Sequence, residues 1–169
     1  MTLMKTIKIE KITLNVGAGK DQSVLEKGML LLKNITGVEP IKTISQKRIP
    51  SWGVRPGLPV GTKITIRNKA KIKDLVTRLI KAKENKLKAT CFDSQGNVSF
   101  GIHEYIDIPD VEYDPKIGIL GFQISITLER PGYSIAKKLG KRKIGKKHLI
   151  SKDEAIEFMK STFNVEITE

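Results

Sequence analysis

The residues Asn15 to Asp21, NVGAGKD, put a glycine turn and a lysine between a strand-like and a helix-like stretch, the setting of a phosphate-binding loop. The spacing rejects that reading. A P-loop needs a glycine five places before Gly19, where Leu14 stands, and a hydroxyl residue after Lys20, where Asp21 would repel phosphate. The dinucleotide fingerprint fails as well, because Gln22 replaces its third glycine. Cys91 is the one cysteine, so there is no disulfide framework, and it is expected as a small buried hydrophobe. His103 and His148 lie far apart with no second cysteine, which leaves no zinc spacing. No Ser, His and acid arrangement, and no carboxylate pair with a positioned base, can be singled out. The expectation is a protein that is no enzyme and needs no metal or cofactor.

The chemistry these residues do carry is electrostatic. Among 169 residues, 31 Lys and Arg oppose 18 Asp and Glu, and the net charge of +13 sits on a chain whose hydrophobic fraction, 39%, is that of a globular domain. Such an excess points to a polyanionic partner, nucleic acid ahead of a membrane surface. The cations are clustered. Pro40 to Lys73 holds nine Lys or Arg, among them Lys47, Lys63 and Arg67, and no acid. Arg130 to His148 holds eight, among them Lys137, Lys138, Lys141, Arg142 and Lys143, and again no acid. Flexible cations facing a phosphate backbone release condensed counterions, which gives affinity without sequence readout and a steep salt dependence. Between Gly101 and Pro115 the sign reverses: Glu104, Asp107, Asp110, Glu112 and Asp114 occur with no Lys or Arg. An acidic band cannot face phosphate, so it is either solvated surface or the contact for a basic protein partner. Trp52, the single tryptophan, lies in the cationic stretch RIPSWGVRPGLPVG. Its indole could stack on a base or anchor the loop to the core, and Arg55 beside it could bind phosphate or stack likewise.

These side chains need a scaffold, and the apolar periodicity describes one. Ile7 to Val16 alternates as a strand with an interruption near Glu10. After the Gly17 to Gly19 break, Asp21 reads as a helix N-cap, and Val24, Leu25, Met29, Leu32 and Ile35 repeat at helical spacing until Gly37. Pro40 to Gln46 is a second strand. Arg48 to Gly61, with three prolines and three glycines, is a loop long enough to be functional or disordered. Thr62 to Arg67 alternates as a strand, and Asn68 opens a helix with Ile72, Leu75, Val76, Leu79 and Ile80 on one face. Asn97 to Ile102 and Gln123 to Glu129 are further strands, and Ser151 with Glu154 forms a capping box before a last helix. The expected fold is α+β, a largely antiparallel sheet of about five strands packed against about three amphipathic helices. It forms a single domain over 1–169, with a basic loop at 46–61 and a basic insert at 130–148. No leader-like h-region and no long apolar run is present, so a soluble, cytoplasmic protein without membrane attachment is expected.

Four stretches together resemble a known family: KITLNVGAG around Asn15, PIKTISQKRIPSWGVRPGLPVGTKITIRN, GNVSFGIHEYIDIPDVEYD and GILGFQISITLERPGYSIAKK. In order and over nearly the whole chain, they are similar to the universal large-subunit ribosomal protein five family, whose members bind 5S rRNA. The insert GYSIAKKLGKRKIGKKH and the helix SKDEAIEFM resemble its archaeal and eukaryotic branch. The resemblance implies an α+β domain that attaches 5S rRNA in the central protuberance of the large subunit, sheet toward RNA, as a monomer within the ribosome. It implies RNA contacts by Asn15 and Thr65, while Val38 stands where the family often has Gln. It also implies that the loop with Trp52, Gly53, Arg55 and Gly57 approaches P-site tRNA, and that the protein bridges to a basic small-subunit protein. The acidic band is assigned to that bridge by its charge alone. Large-subunit rRNA is the expected target of the 130–148 tract. The rival readings are a free RNA chaperone or RNA-modifying factor, which would require a catalytic cluster or low substrate selectivity, and a polybasic membrane-surface protein, which would require a broad apolar helix face beside lysines.

Overall fold

Burial alternates along the central strands of the computed structural model, which describes residues 3–138 and 142–168. In β1 (Lys8–Gly17) Ile12, Leu14 and Val16 are buried while Lys11, Thr13 and Asn15 are half-exposed. The other strands are β2 (Ile41–Ile44), β3 (Pro59–Ile66), β4 (Lys86–Lys88), β5 (Val98–Ile102), β6 (Phe122–Glu129) and β7 (Glu166–Thr168). Five of them form an antiparallel sheet in the order β2-β3-β1-β6-β5, and β4 and β7 pair as a separate parallel ribbon. The helices are α1 (Gln22–Thr36), α2 (Lys69–Lys81), α3 (Ser134–Lys137) and α4 (Lys152–Phe163). The α+β expectation is met, with three longer helices and the short α3.

The chain groups into two compact units. The first comprises Met1–Ile12, Arg67–Phe100 and Ser125–Glu169; the second comprises Thr13–Ile66 and Gly101–Ile124. In the first, Ile72, Leu75, Val76, Leu79 and Ile80 of α2 and Ala155 and Met159 of α4 are buried, as the helical spacing requires. Asn68 caps α2 by accepting from the Ala70 amide. Ser151 and Glu154 close the reciprocal capping box of α4. In the second unit, α1 packs on β3 and buries Leu25, Leu31, Leu32 and Ile35. Its C-terminus ends at Gly37, whose amide donates to the Lys33 carbonyl.

Three expectations need correction. Asp21 occupies the N-cap position of α1, but its side chain accepts no capping hydrogen bond. Cys91 is half-buried in a 3-10 turn rather than enclosed. Strand β3 begins at Pro59, so the last residues of the expected loop are sheet. Among the described residues no helix is long and apolar enough to cross a membrane.

Candidate nucleic-acid interface

The second unit presents a polar sheet face. On β1, Thr13 and Asn15 alternate with buried Leu14 and Val16; on β3, Lys63 and Thr65 alternate with buried Thr62, Ile64 and Ile66; on β6, exposed Gln123 lies between buried Phe122 and Ile124. By the twofold period of a strand, Thr13, Asn15, Lys63, Thr65 and Gln123 all point away from the core. The Asn15 amide nitrogen donates to the Gln123 carbonyl oxygen at 3.3 Å, which orients both side chains and leaves their remaining donors and acceptors toward solvent. Gln123 and Thr13 escaped the sequence reading. The signal that could have found them was the polar half of the strand alternation, which had served only to locate the core. In the first unit the same parity along β6 exposes Ser125, whose hydroxyl meets that of Ser99 on β5 at 3.2 Å.

Beside this face in the chain, residues 45–58 form a closed hairpin. The Ser45 amide donates to the Leu58 carbonyl and the Gly57 amide to the Ser45 carbonyl, while Ile49 and Val54 exchange both of their backbone hydrogen bonds. The tip turns through the 3-10 segment Pro50–Trp52 and Gly53, whose φ of 65°, like that of 84° at Gly57, belongs to the left-handed region that glycine tolerates best. Val54 is buried and ties the hairpin down, whereas Trp52 is 70% exposed. An indole so exposed does not anchor the loop to the core. Arg55 is exposed next to it, and the Lys20 side chain runs past Gly53. The neighbouring glycine turn is occupied by the fold itself, because the Ala18 and Gly19 amides both donate to the Val60 carbonyl. Neither of these two glycine-turn amides is left free for a phosphate.

The 130–148 tract, in the first unit, splits into a tied base and an open top. Arg130 is 5% exposed; its guanidinium donates to the Glu154 carboxylate at 2.6 Å and to the Leu149 carbonyl at 3.2 Å. The Tyr133 hydroxyl donates to the His148 carbonyl and accepts from the Ile150 amide. His148 Nε2 lies 2.8 Å from the Pro131 carbonyl, which places the ring proton on Nε2 since a carbonyl only accepts. The Ser151 amide, and after it the Arg130 guanidinium, hold the Glu154 carboxyl below the usual glutamate range. Lys137 is also engaged: its ammonium pairs with Glu10 at 2.6 Å and Glu129 at 3.2 Å. The hydrogen bond to Glu10 raises its pKa against the lowering effect of desolvation, and Glu129 adds to the rise. Lys138, Arg142 and Lys143 are exposed with no ion pair among the described residues, and Lys141 lies outside those residues. Lys47, Lys63 and Arg67 are exposed as well.

The acidic band belongs to the second unit. Glu104, Asp107, Asp110 and Glu112 are exposed and unpaired among the described residues, while Asp114 is partly withdrawn. Its carboxylate accepts from the Lys116 amide at 2.9 Å and its own amide donates to the buried Tyr105 hydroxyl. Exposed Ile106 and Tyr113 intersperse the acids, so the surface is acidic and apolar together.

Known proteins similar to this chain are found over nearly its whole length. Residues 3–55 match the model described as ribosomal protein L5, and residues 59–158 match the model for the C-terminus of the same ribosomal family. A Sulfurisphaera tokodaii protein named large ribosomal subunit protein uL5 is 44% identical over 168 residues, covering 98% of this chain and 94% of its own. Proteins of the same name from Nanoarchaeum equitans, at 42% identity with 97% of each chain covered, and Nitrosopumilus maritimus, at 44% with 97% and 95% covered, are similar throughout.

Proposed function

Because this chain belongs to the ribosomal L5 family, we propose that it is a non-enzymatic constituent of the large ribosomal subunit that binds 5S rRNA through the polar face of its sheet. The observation that carries the reading is the uncovered row of Asn15, Thr65, Lys63 and Gln123, with Asn15 and Gln123 held in one orientation by their mutual hydrogen bond. Short neutral side chains on a rigid sheet suit the sugar and base edges of a structured RNA loop, and the lysines supply phosphate attraction. Large-subunit rRNA is the target of Lys138, Arg142 and Lys143. The hairpin tip, with Trp52 and Arg55 both turned to solvent, approaches P-site tRNA, where an indole can stack and a guanidinium can grip phosphate. The acidic and apolar band around Glu104, Asp107, Asp110 and Glu112 bridges to a basic protein of the small subunit, with complementary potentials steering the encounter.

The test is a gel-shift titration of 5S rRNA with the Asn15→Ala, Thr65→Ala double variant. Two lost neutral hydrogen bonds are worth about 1 to 2 kcal/mol, so affinity should fall about tenfold with the far-UV circular dichroism unchanged. Unchanged affinity would remove the sheet face from the interface.

A further inference from the structure

The first unit contains an open groove of about 250 Å³ that the RNA reading leaves unused. It lies where the start of β1 meets the first turn of α2 and the last turn of α4. Ile7, Ile9, Ile72, Phe158 and Phe163 line it, and all but the buried Ile72 are half-exposed there, so the groove is apolar surface that folding leaves wet. The exposed Lys8, Lys69 and Lys73 also line it, and no Asp or Glu does. We propose that this groove is a protein-docking site for an acidic amphipathic segment, one apolar side chain of which enters it while neighbouring carboxylates meet Lys8, Lys69 and Lys73.

Three features select this occupant. The volume is that of one or two large aliphatic or aromatic side chains. Apart from the lysines, the one polar side chain in the lining is the exposed Thr162, so a nucleobase placed here would leave most of its hydrogen-bonding edge unpaired, whereas a Leu or Phe side chain has nothing to leave unpaired. The three ammonium groups demand negative charge on the entering chain, and a helix carrying apolar residues on one stripe and carboxylates beside it supplies both. A purely acidic partner would make no use of the apolar lining, and a purely apolar one would leave the lysines unanswered.

Thr162 allows a test that alters the groove and not its charge. The probe is a short fluorescein-labelled peptide with Leu at i, i+3, i+4 and i+7 among Glu residues, and the control has the same composition with its Leu residues spread around the helix. In fluorescence anisotropy with the full chain, the patterned peptide should bind more tightly than the control. Thr162→Trp, which fills the groove from an exposed position, should weaken the patterned peptide about tenfold, the weight of one large apolar side chain, and leave the control unmoved. Phe163→Ala, which removes lining instead of adding it, should weaken the same peptide if Thr162→Trp proves poorly folded. Equal affinity for the two peptides, or no response to either variant, would overturn the proposal. So would a single-stranded oligonucleotide losing affinity in Thr162→Trp while the patterned peptide does not, because the groove would then be an RNA contact.

Discussion

Arg130 and Lys137 show how misleading residue type alone can be. Both stand in an acid-free run of the sequence, yet each meets carboxylates brought from elsewhere: Glu154 for Arg130, Glu10 and Glu129 for Lys137. Glu129 borders the run, but nothing local announces Glu10, which is 127 positions away from Lys137. Asn15 differs, because it stands between the buried Leu14 and Val16 on a strand whose alternation turns it off the core, while its bond to Gln123 again joins distant segments. The Arg130 pair makes a pH prediction. A carboxyl whose folded pKa is depressed stabilises the fold above its unfolded pKa, and that contribution is lost as pH falls through the folded value. Glu154 is of this kind, so stability should decline from the ordinary glutamate range downward, through the depressed folded value. Glu154→Gln keeps the shape but removes the charge beside buried Arg130, and should lower stability near neutral pH by about 1 to 3 kcal/mol in urea unfolding. The gap between variant and native protein should close in acid, where the native carboxyl is also neutral. A gap independent of pH would show that the carboxylate charge is not what holds Arg130.

At the scale of elements, the sequence was most readable where the period was long and regular. The strands around Leu14, Ile64 and Ile126 and the stripe Ile72 to Ile80 were found because two and 3.6 are distinct periods that a dozen residues can separate. Strands β4 and β7, three residues each, carry no measurable period, and their parallel pairing joins residues far apart in the chain. Arg48 to Gly61 reads as a loop because it holds three prolines and three glycines, and composition says nothing about the backbone pairs that close the hairpin at 45–58. The closed hairpin leaves Arg55 exposed near its tip and makes it testable: Arg55→Ala should lower P-site tRNA occupancy in assembled ribosomes more than it lowers 5S rRNA affinity in a gel shift. Equal losses would make the hairpin an rRNA contact. Where β3 passes β1, a Cβ added at Gly61 would sit 2.6 Å from the Val16 carbonyl oxygen, a backbone atom that cannot swing aside. Gly61→Ala should therefore destabilise by about 1 to 3 kcal/mol in thermal unfolding. No change would mean that the two strands can separate freely.

Over the whole molecule, a count of basic residues overstates the cations free to meet RNA, as the eight Lys and Arg of 130–148 show. The acid-free tract at 130–148 contains Arg130, enclosed against Glu154, and Lys137, answered by two carboxylates, so its working cations lie in the stretch with Lys138, Arg142 and Lys143. Salt dependence can separate the two kinds. Each phosphate neutralised contributes roughly 0.7 to 0.9 to the slope of log affinity against log salt, because it releases condensed counterions. A cation already paired with carboxylates brings little net charge to a phosphate and should release few. The double variant Arg142→Gln, Lys143→Gln should therefore reduce the slope for rRNA by roughly 1.4 to 1.8. Lys137→Gln should leave it nearly unchanged, although it frees Glu10 and Glu129 and so weakens affinity by adding uncompensated negative charge. The discriminating quantity is the slope and not the affinity at one salt concentration, since both variants lower the latter. Equal reductions in slope per residue would mean that Lys137 leaves its carboxylates for phosphate on binding, and the division of the tract into a tied base and an open top would fail.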